Sequence, residues 1–209
     1  MATSSSPPTS GRAARSGRAA PLSPPERRAA LVEATLPLLR AHGTAVTTRQ
    51  IAEAAGVAEG TIFSVFSDKE ALIATAIDAG LDPAPTIARL DAVDRDPPLS
   101  DRLIAAVEIL QAHLATTWQL LAAVGIEGRP RPTHGTPNEV AARLAAALEP
   151  LLDAESVGLR TTPDRAAQAL LALCVGCSHP AVVDQPMAAG QIVDLLLHGV
   201  TGDAAEEPT

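Results

Sequence analysis

The chain is nearly devoid of aromatic residues, with one tryptophan, two phenylalanines and no tyrosine in 209 residues. Its apolar residues also include few β-branched ones. It has two cysteines, which do not make the disulfide framework of a small secreted domain. No run approaches the ~18 consecutive apolar residues that a membrane span needs. The N-terminus lacks the apolar core of a signal peptide, so a cytoplasmic protein with no membrane contact is expected. No Ser/His/Asp constellation, phosphate loop or carboxylate dyad is visible, so neither an enzyme nor a cofactor is expected. Excess positive charge is missing too. The net charge of −8 argues at first against a nucleic-acid partner.

What is there is helix-forming. Hydrophobic residues make up 46% of the chain and the mean hydropathy is +0.16, ample for a core. That content is mostly Ala and Leu, among the best helix formers, which points to an all-α fold. The charge is also unevenly placed. Residues 1–50 hold seven arginines against two acids, whereas residues 81–209 hold eight arginines against seventeen acids. A basic front and an acidic rear suit a protein with one end facing DNA.

Residues 1–22 are rich in Ser, Pro, Gly and Ala and read as a disordered basic tail, as a solubilising segment or a minor-groove arm. Order is expected from Ser23, where Ser23-Pro24-Pro25-Glu26 forms a capping box with proline at the first helical position. Leu31, Ala34, Leu38 and Leu39 then follow at helical spacing, with a kink expected at Pro37. A second helix starts at the capping box Thr47-x-x-Gln50 and is broken by Gly56. A third, short helix is expected over about residues 58–66. Ser67-x-x-Glu70 reads as another capping box, and Gly80 and Pro83 as the close of the unit spanning 23–80.

Two short helices joined by Ala55-Gly56-Val57 make a helix-turn-helix. Glycine supplies the positive φ that the corner needs. Such a motif places its second helix in the major groove while the first crosses the backbone. Gly60 allows close backbone approach, and Thr61 offers a hydroxyl and a methyl to phosphate or base. Thr48 and Arg49, at the start of the preceding helix, reach phosphate. Glu59 puts a carboxylate near the groove, where it repels phosphate. Lys69, in the first turn of the next helix, opposes the helix dipole, and an outside anion is the expected cause. Phe63 and Ser64 complete the candidate DNA-binding set of Thr48, Arg49, Glu59, Gly60, Thr61, Phe63, Ser64 and Lys69. Phe66, with Ile62, is expected to anchor the recognition helix to the small core.

The stretch TTRQIAEAAGVAEGTIFSVFSDKEAL, residues 47–72, resembles the DNA-binding signature of the TetR family of transcriptional regulators. Ile51, Ala55, Gly56, Val57, Gly60, Thr61, Phe66, Lys69, Glu70 and Leu72 fit the family pattern. The resemblance spans roughly residues 25–80. It implies an all-helical homodimer, with a helix-turn-helix domain followed by a larger domain that binds a small effector and dimerises. It also implies a palindromic double-stranded DNA operator and, most simply, a repressor. The alternative is a TetR-like ligand-binding or scaffold protein with weak DNA affinity. The sequence departs from the pattern at Phe63, where the family usually has a tyrosine, and at Ser64 and Val65. Phe63 packs on a sugar or thymine methyl but lacks the hydroxyl that bonds phosphate.

In the second half, residues 81–200, the spacing predicts one long helix over 101–125. It carries Leu103, Val107, Leu110, Leu114, Trp118 and Leu121 in a single stripe. Trp118 reads either as core filler or as part of an effector cavity. Glu108, Gln111, His113 and Gln119 are polar positions on the same helix, and His113 lies one position off the stripe. The candidate effector pocket is Leu110, His113, Leu114, Trp118 and Leu121. Residues 125–137 read as a flexible loop, with Asn138 capping the next helix. Further helices are expected from Thr162-Pro163 to about 177 and over about 188–199, and these two form the expected dimer surface. The pair Cys174-x-x-Cys177, followed by His179, offers three ligands for zinc but lacks a fourth, and it ends an apolar helix. Packing is the favoured reading, and no metal site is assigned. Residues 201–209 read as an acidic tail.

Overall fold

A computed structural model describes residues 23–125, 133–152 and 158–200. Among these residues the fold is all-α, with nine α-helices and no strand. The expected tails at 1–22 and 201–209, and most of the expected loop at 125–137, lie outside the described residues.

Helix α1 (Pro24–His42) begins as expected. The Ser23 backbone N–H donates to the Glu26 carboxylate at 2.8 Å. It runs unbroken through Pro37. Pro37 and Glu33 both face solvent, so water can serve the Glu33 carbonyl that proline leaves without a donor. A 3-10 turn (Gly43–Ala45) leads to α2 (Thr48–Ala54), capped by Thr47 and Gln50 in a reciprocal pair. Helix α3 (Glu59–Phe63) is shorter than expected. Ser64 closes it, although Phe66 still donates to the Ile62 carbonyl at 2.8 Å. Helix α4 (Lys69–Leu81) is capped one residue later than the sequence suggests. Asp68, not Ser67, accepts the backbone N–H of Ala71 at 2.7 Å. Gly80 does not end α4 but lies inside it. A Cβ there would come within 2.7 Å of Leu120 and 2.8 Å of Leu36, so glycine serves close packing among α1, α4 and a later helix.

Helix α5 (Ala84–Asp91) is not anticipated by the sequence pattern. Its prolines sit at or before the first turn, where no helical hydrogen bond is lost. Helix α6 (Leu99–Val124) has 26 residues and ends at Gly125, which has positive φ. At 1.5 Å per residue it is about 39 Å long. Helix α7 (Pro137–Leu148) is capped by Thr136 with Glu139, not by Asn138. The 3-10 turn Glu149–Leu152 follows it. Helices α8 (Pro163–Gly176) and α9 (Ala189–His198) complete the described fold.

Two hydrophobic cores form. The first joins α1 to α4 through Leu31, Leu39, Ile51, Ile62, Leu72 and Ile77. The second joins α5 to α9 through Leu90, Leu103, Leu110, Leu148, Leu170 and Ile192. Helix α6 belongs to both: Leu103 to Leu110 fill the second core, while Leu120 and Val124 fill the first. The single stripe expected on this helix is therefore divided. None of residues 111–119 is fully buried; Leu114 packs at the edge of the second core and Trp118 is only partly buried.

Candidate nucleic-acid interface and the α6 gap

The corner between α2 and α3 follows from its glycine. Gly56 has φ +65°. The turn closes with Ala55, Gly56 and Val57 donating to the carbonyls of Ile51, Glu53 and Ala52 at 2.9, 3.1 and 3.0 Å. Ile62 and Phe66 are buried and hold α3 to the first core. The Arg28 guanidinium lies 4.2 Å from the centre of the Phe66 ring, a cation–π contact that ties α1 to the end of the motif. Phe63 is 54% exposed, the outward member of the aromatic pair. Gly60 has open space where a side chain would stand.

A shallow concavity of about 630 Å³ lies on this face, lined by Arg27, Val57, Ala58, Gly60, Thr61 and Ser64. It brings together Gly60, Thr61 and Ser64 as the sequence suggests. Arg27 is an addition. No local pattern singles it out from the other arginines of the basic front, because only the packing of α1 sets it beside α3.

Three of the expected DNA-facing donors are engaged within the protein. The Lys69 ammonium donates to the backbone carbonyls of Thr44 and Val46, at 3.4 and 3.3 Å. These internal carbonyls offset its position against the helix dipole, a partner set that the sequence reading did not include. The Ser64 hydroxyl donates to the Thr61 carbonyl at 2.7 Å. The Thr48 hydroxyl donates to Oε1 of Glu59. Arg49 remains exposed at the start of α2.

The second region is the stretch of α6 between the two cores. Leu110 is fully buried in the second core, while His113, Leu114, Trp118 and Leu121 are half-buried. The Trp118 and His179 rings meet edge to face, with centroids 4.7 Å apart. Gln111 Nε2 donates to Ser178 Oγ at 3.0 Å and to the Met187 carbonyl at 2.8 Å, fastening the segment between α8 and α9 to α6. Among the described residues, the buried Thr117 hydroxyl oxygen has no hydrogen-bond partner. Burial lowers the His113 pKa below its ordinary value, partly opposed by the Asp82 carboxylate. Asp78 of α4 and Asp82, just past its end, flank the His134 ring, with carboxylate oxygens 3.3 and 3.5 Å from its two nitrogens. This part of α6 thus lies near polar groups of α4. A second concavity, about 430 Å³, lies on α9 and is lined by Met187, Gly190, Gln191, Asp194 and Leu195. Neither concavity is lined by the five expected effector-pocket residues.

Cys174 and Cys177 are both free thiols. Burial pushes the Cys174 thiol pKa up to about 12, opposite to what a thiolate ligand or redox nucleophile needs. Among the described residues, no group of three or more His, Cys, Asp or Glu side chains is placed to hold a metal ion.

Residues 31–76 match the family model described as bacterial regulatory proteins, tetR family. The chain carries the TetR-family DNA-binding domain. Its fold agrees with solved structures over most of its length. One is a chain from Pseudomonas aeruginosa PAO1 described as a transcriptional regulator. It is 26% identical, with 85% of this chain and 91% of that chain covered and a TM-score of 0.56. A tetR-family transcriptional regulator from Streptomyces coelicolor is 18% identical, with 85% and 79% covered and a TM-score of 0.57. The regulator FadR from Bacillus subtilis, solved with stearoyl-CoA, is 17% identical, with 83% and 99% covered and a TM-score of 0.53. No curated protein sequence matches significantly. With this domain, the chain is a TetR-type transcriptional regulator and not an enzyme. No helix among its described residues is long and apolar enough to cross a membrane.

Proposed function

We propose that this TetR-family regulator is a homodimeric repressor that leaves a palindromic operator when a small molecule enters the gap along α6. The observation that carries this reading is the division of α6. One end of the helix is built into the core that bears α3, and the other into the core of the second half. A ligand wedged between the cores must move one relative to the other, and it shifts the population toward the arrangement it fits. In this reading residues 23–80 form the DNA-binding domain and 81–200 the effector and dimer domain. Arg49, Gly60, Thr61 and Phe63 face the duplex, joined by Arg27.

Several features support the effector site. His113, Leu114 and Trp118 lie on the stretch of α6 between the two cores, with Leu110 and Leu121 at its ends. The unpartnered hydroxyl of Thr117 is a polar handle in a mainly apolar surface, the composition expected of a ligand site. The acyl-CoA ligand of the Bacillus subtilis FadR structure shows that a protein of this fold takes a ligand with a long apolar part. The dimer is proposed through α8 and α9, residues 163–177 and 188–199. Small Ala169, Ala172 and Gly190 are exposed there beside half-buried Leu173, Leu195 and Leu196, and the α9 concavity offers a seat for a partner helix.

Selection of bound sequences from a random DNA pool, followed by binding assays across salt, tests the reading. The expected outcome is a palindrome with half-sites about 34–36 Å apart or a multiple of that. Its affinity should fall steeply with salt. Ligand-binding protein with little DNA affinity would enrich no sequence and show no such slope.

A further inference from the structure

We propose that Glu59 is a specificity-determining residue that reads cytosine through its exocyclic N4 amine, and that Thr48 is the positioning residue that holds it. The inference rests on the DNA-binding reading of the α2–α3 face.

Glu59 is the first residue of α3 and is exposed. A carboxylate on this face is repelled by phosphate and by the acceptor edges of guanine and thymine. In the major groove, guanine offers only N7 and O6 acceptors and thymine an O4 acceptor. Adenine sets an N7 acceptor beside its amine. Cytosine alone offers a donor without a neighbouring acceptor of its own, and Glu accepts from it. The acid is thus unfavourable against every partner on the duplex except one.

The structure also orients this acid. The Thr48 hydroxyl donates to Oε1 of Glu59 across the two helices, which leaves Oε2 for an outside donor. Among the described residues, Glu59 makes no ion pair that would neutralise it. A flexible exposed carboxylate discriminates poorly, because orienting it on binding costs side-chain entropy. Holding it from α2 removes part of that cost. The same bond removes the Thr48 hydroxyl proton from phosphate binding. The neighbouring hydroxyl of Ser64 and the ammonium of Lys69 are likewise engaged internally. Few polar groups on this face remain to read a base, and Glu59 is the one among them that is only an acceptor.

The test is parallel selection from a random DNA pool with the full chain and its E59Q, T48V and T48S variants. Each variant's melting temperature is measured to confirm folding. The wild type is expected to enrich a palindrome containing cytosine at one half-site position. Replacing that base should weaken binding about 5- to 150-fold. With E59Q, that position alone should shift from cytosine toward adenine, which an amide side chain reads. T48V should relax the same position while leaving the others intact, and T48S, which keeps the hydroxyl, should retain cytosine.

An unchanged half-site in E59Q, or a change at a position that prefers another base in the wild type, overturns the role of Glu59 and leaves DNA binding standing. If T48V instead weakens binding equally to all sequences, Thr48 contacts phosphate and its positioning role is wrong. Failure of the wild type to enrich any sequence overturns the inference together with the DNA-binding reading beneath it.

Discussion

Replacing Gly43 with alanine tests how firmly α6 is seated against the DNA-binding half. Gly43 has φ +59° and ψ −150°, a region populated essentially by glycine, where another residue costs about 1–3 kcal/mol. A Cβ at this position would also lie 2.6 Å from the backbone carbonyl oxygen of Ala123 near the end of α6. Backbone cannot yield as a side-chain tip can, so forced overpacking adds about 1–3 kcal/mol. The sum is about 4 kcal/mol. For a chain of this size each kcal/mol moves the midpoint by about 2–4 °C, so Gly43→Ala should melt about 8–16 °C lower. Gly56→Ala is the control. Gly56 has a similar φ of +65°, but nothing lies within 4 Å of its added Cβ. Only backbone strain of about 1–2 kcal/mol remains there, or roughly 2–8 °C. Both variants are melted by circular dichroism at one protein concentration, so that any self-association affects the two midpoints alike. Equal midpoints for the two variants would refute the argument that the 43–45 turn is pressed against α6.

Three further outcomes are expected. Phe63→Tyr restores a hydroxyl at the 54% exposed position and should tighten operator binding several-fold by one phosphate hydrogen bond. Its melting temperature should change by no more than the ~0.5 kcal/mol typical of a surface change. His113 is held neutral by burial, its folded pKa lying below the ordinary 6.5. Between these values the unfolded chain binds more protons than the folded one, so stability falls as pH drops below 6.5 and levels off below the folded pKa. Urea titrations of wild type and His113→Gln across that range should show the wild type losing more stability on acidification. With Cys174 buried and its pKa near 12, a thiol reagent at neutral pH should modify Cys177 rapidly and Cys174 only on unfolding. Peptide mapping after a short exposure checks this.

Much of the fold is legible in the sequence, because the signals concerned are local. Thr47-Gln50, Thr162-Pro163 and Gly125 mark helix ends that chain neighbours alone decide. Where the reading slips, two adjacent residues offer the same chemistry, as Ser67 and Asp68 do, or a proline is taken for a break when it opens a helix, as before α5. The buried Ile62 and Phe66 and the exposed Phe63 follow from helical spacing. The internal partner of Lys69 does not, because the Thr44 and Val46 carbonyls are brought to it only by tertiary folding. Arg27 is missed for the same reason. The division of α6 is invisible for a different one: periodicity gives the direction a side chain faces but not which body it faces at each turn. Leu110 lies on the expected stripe and fills the second core, whereas the first core takes Leu120, beside the expected Leu121.

The unbroken course of α6 limits how the molecule can transmit force. From Leu99 to Val124 it contains neither glycine nor proline, the residues at which helices most often bend. The ten residue steps from Leu110 to Leu120 form a rod of about 15 Å, anchored at both ends in packed side chains. Such a rod works as a lever rather than a tether. A tilt of about 5° imposed at one end displaces the other by roughly 1.3 Å over that length, and it carries α1 and α4 along at the glycine contact of Gly80. In a two-fold assembly each half would swing in the opposite sense, so small tilts add across the pair.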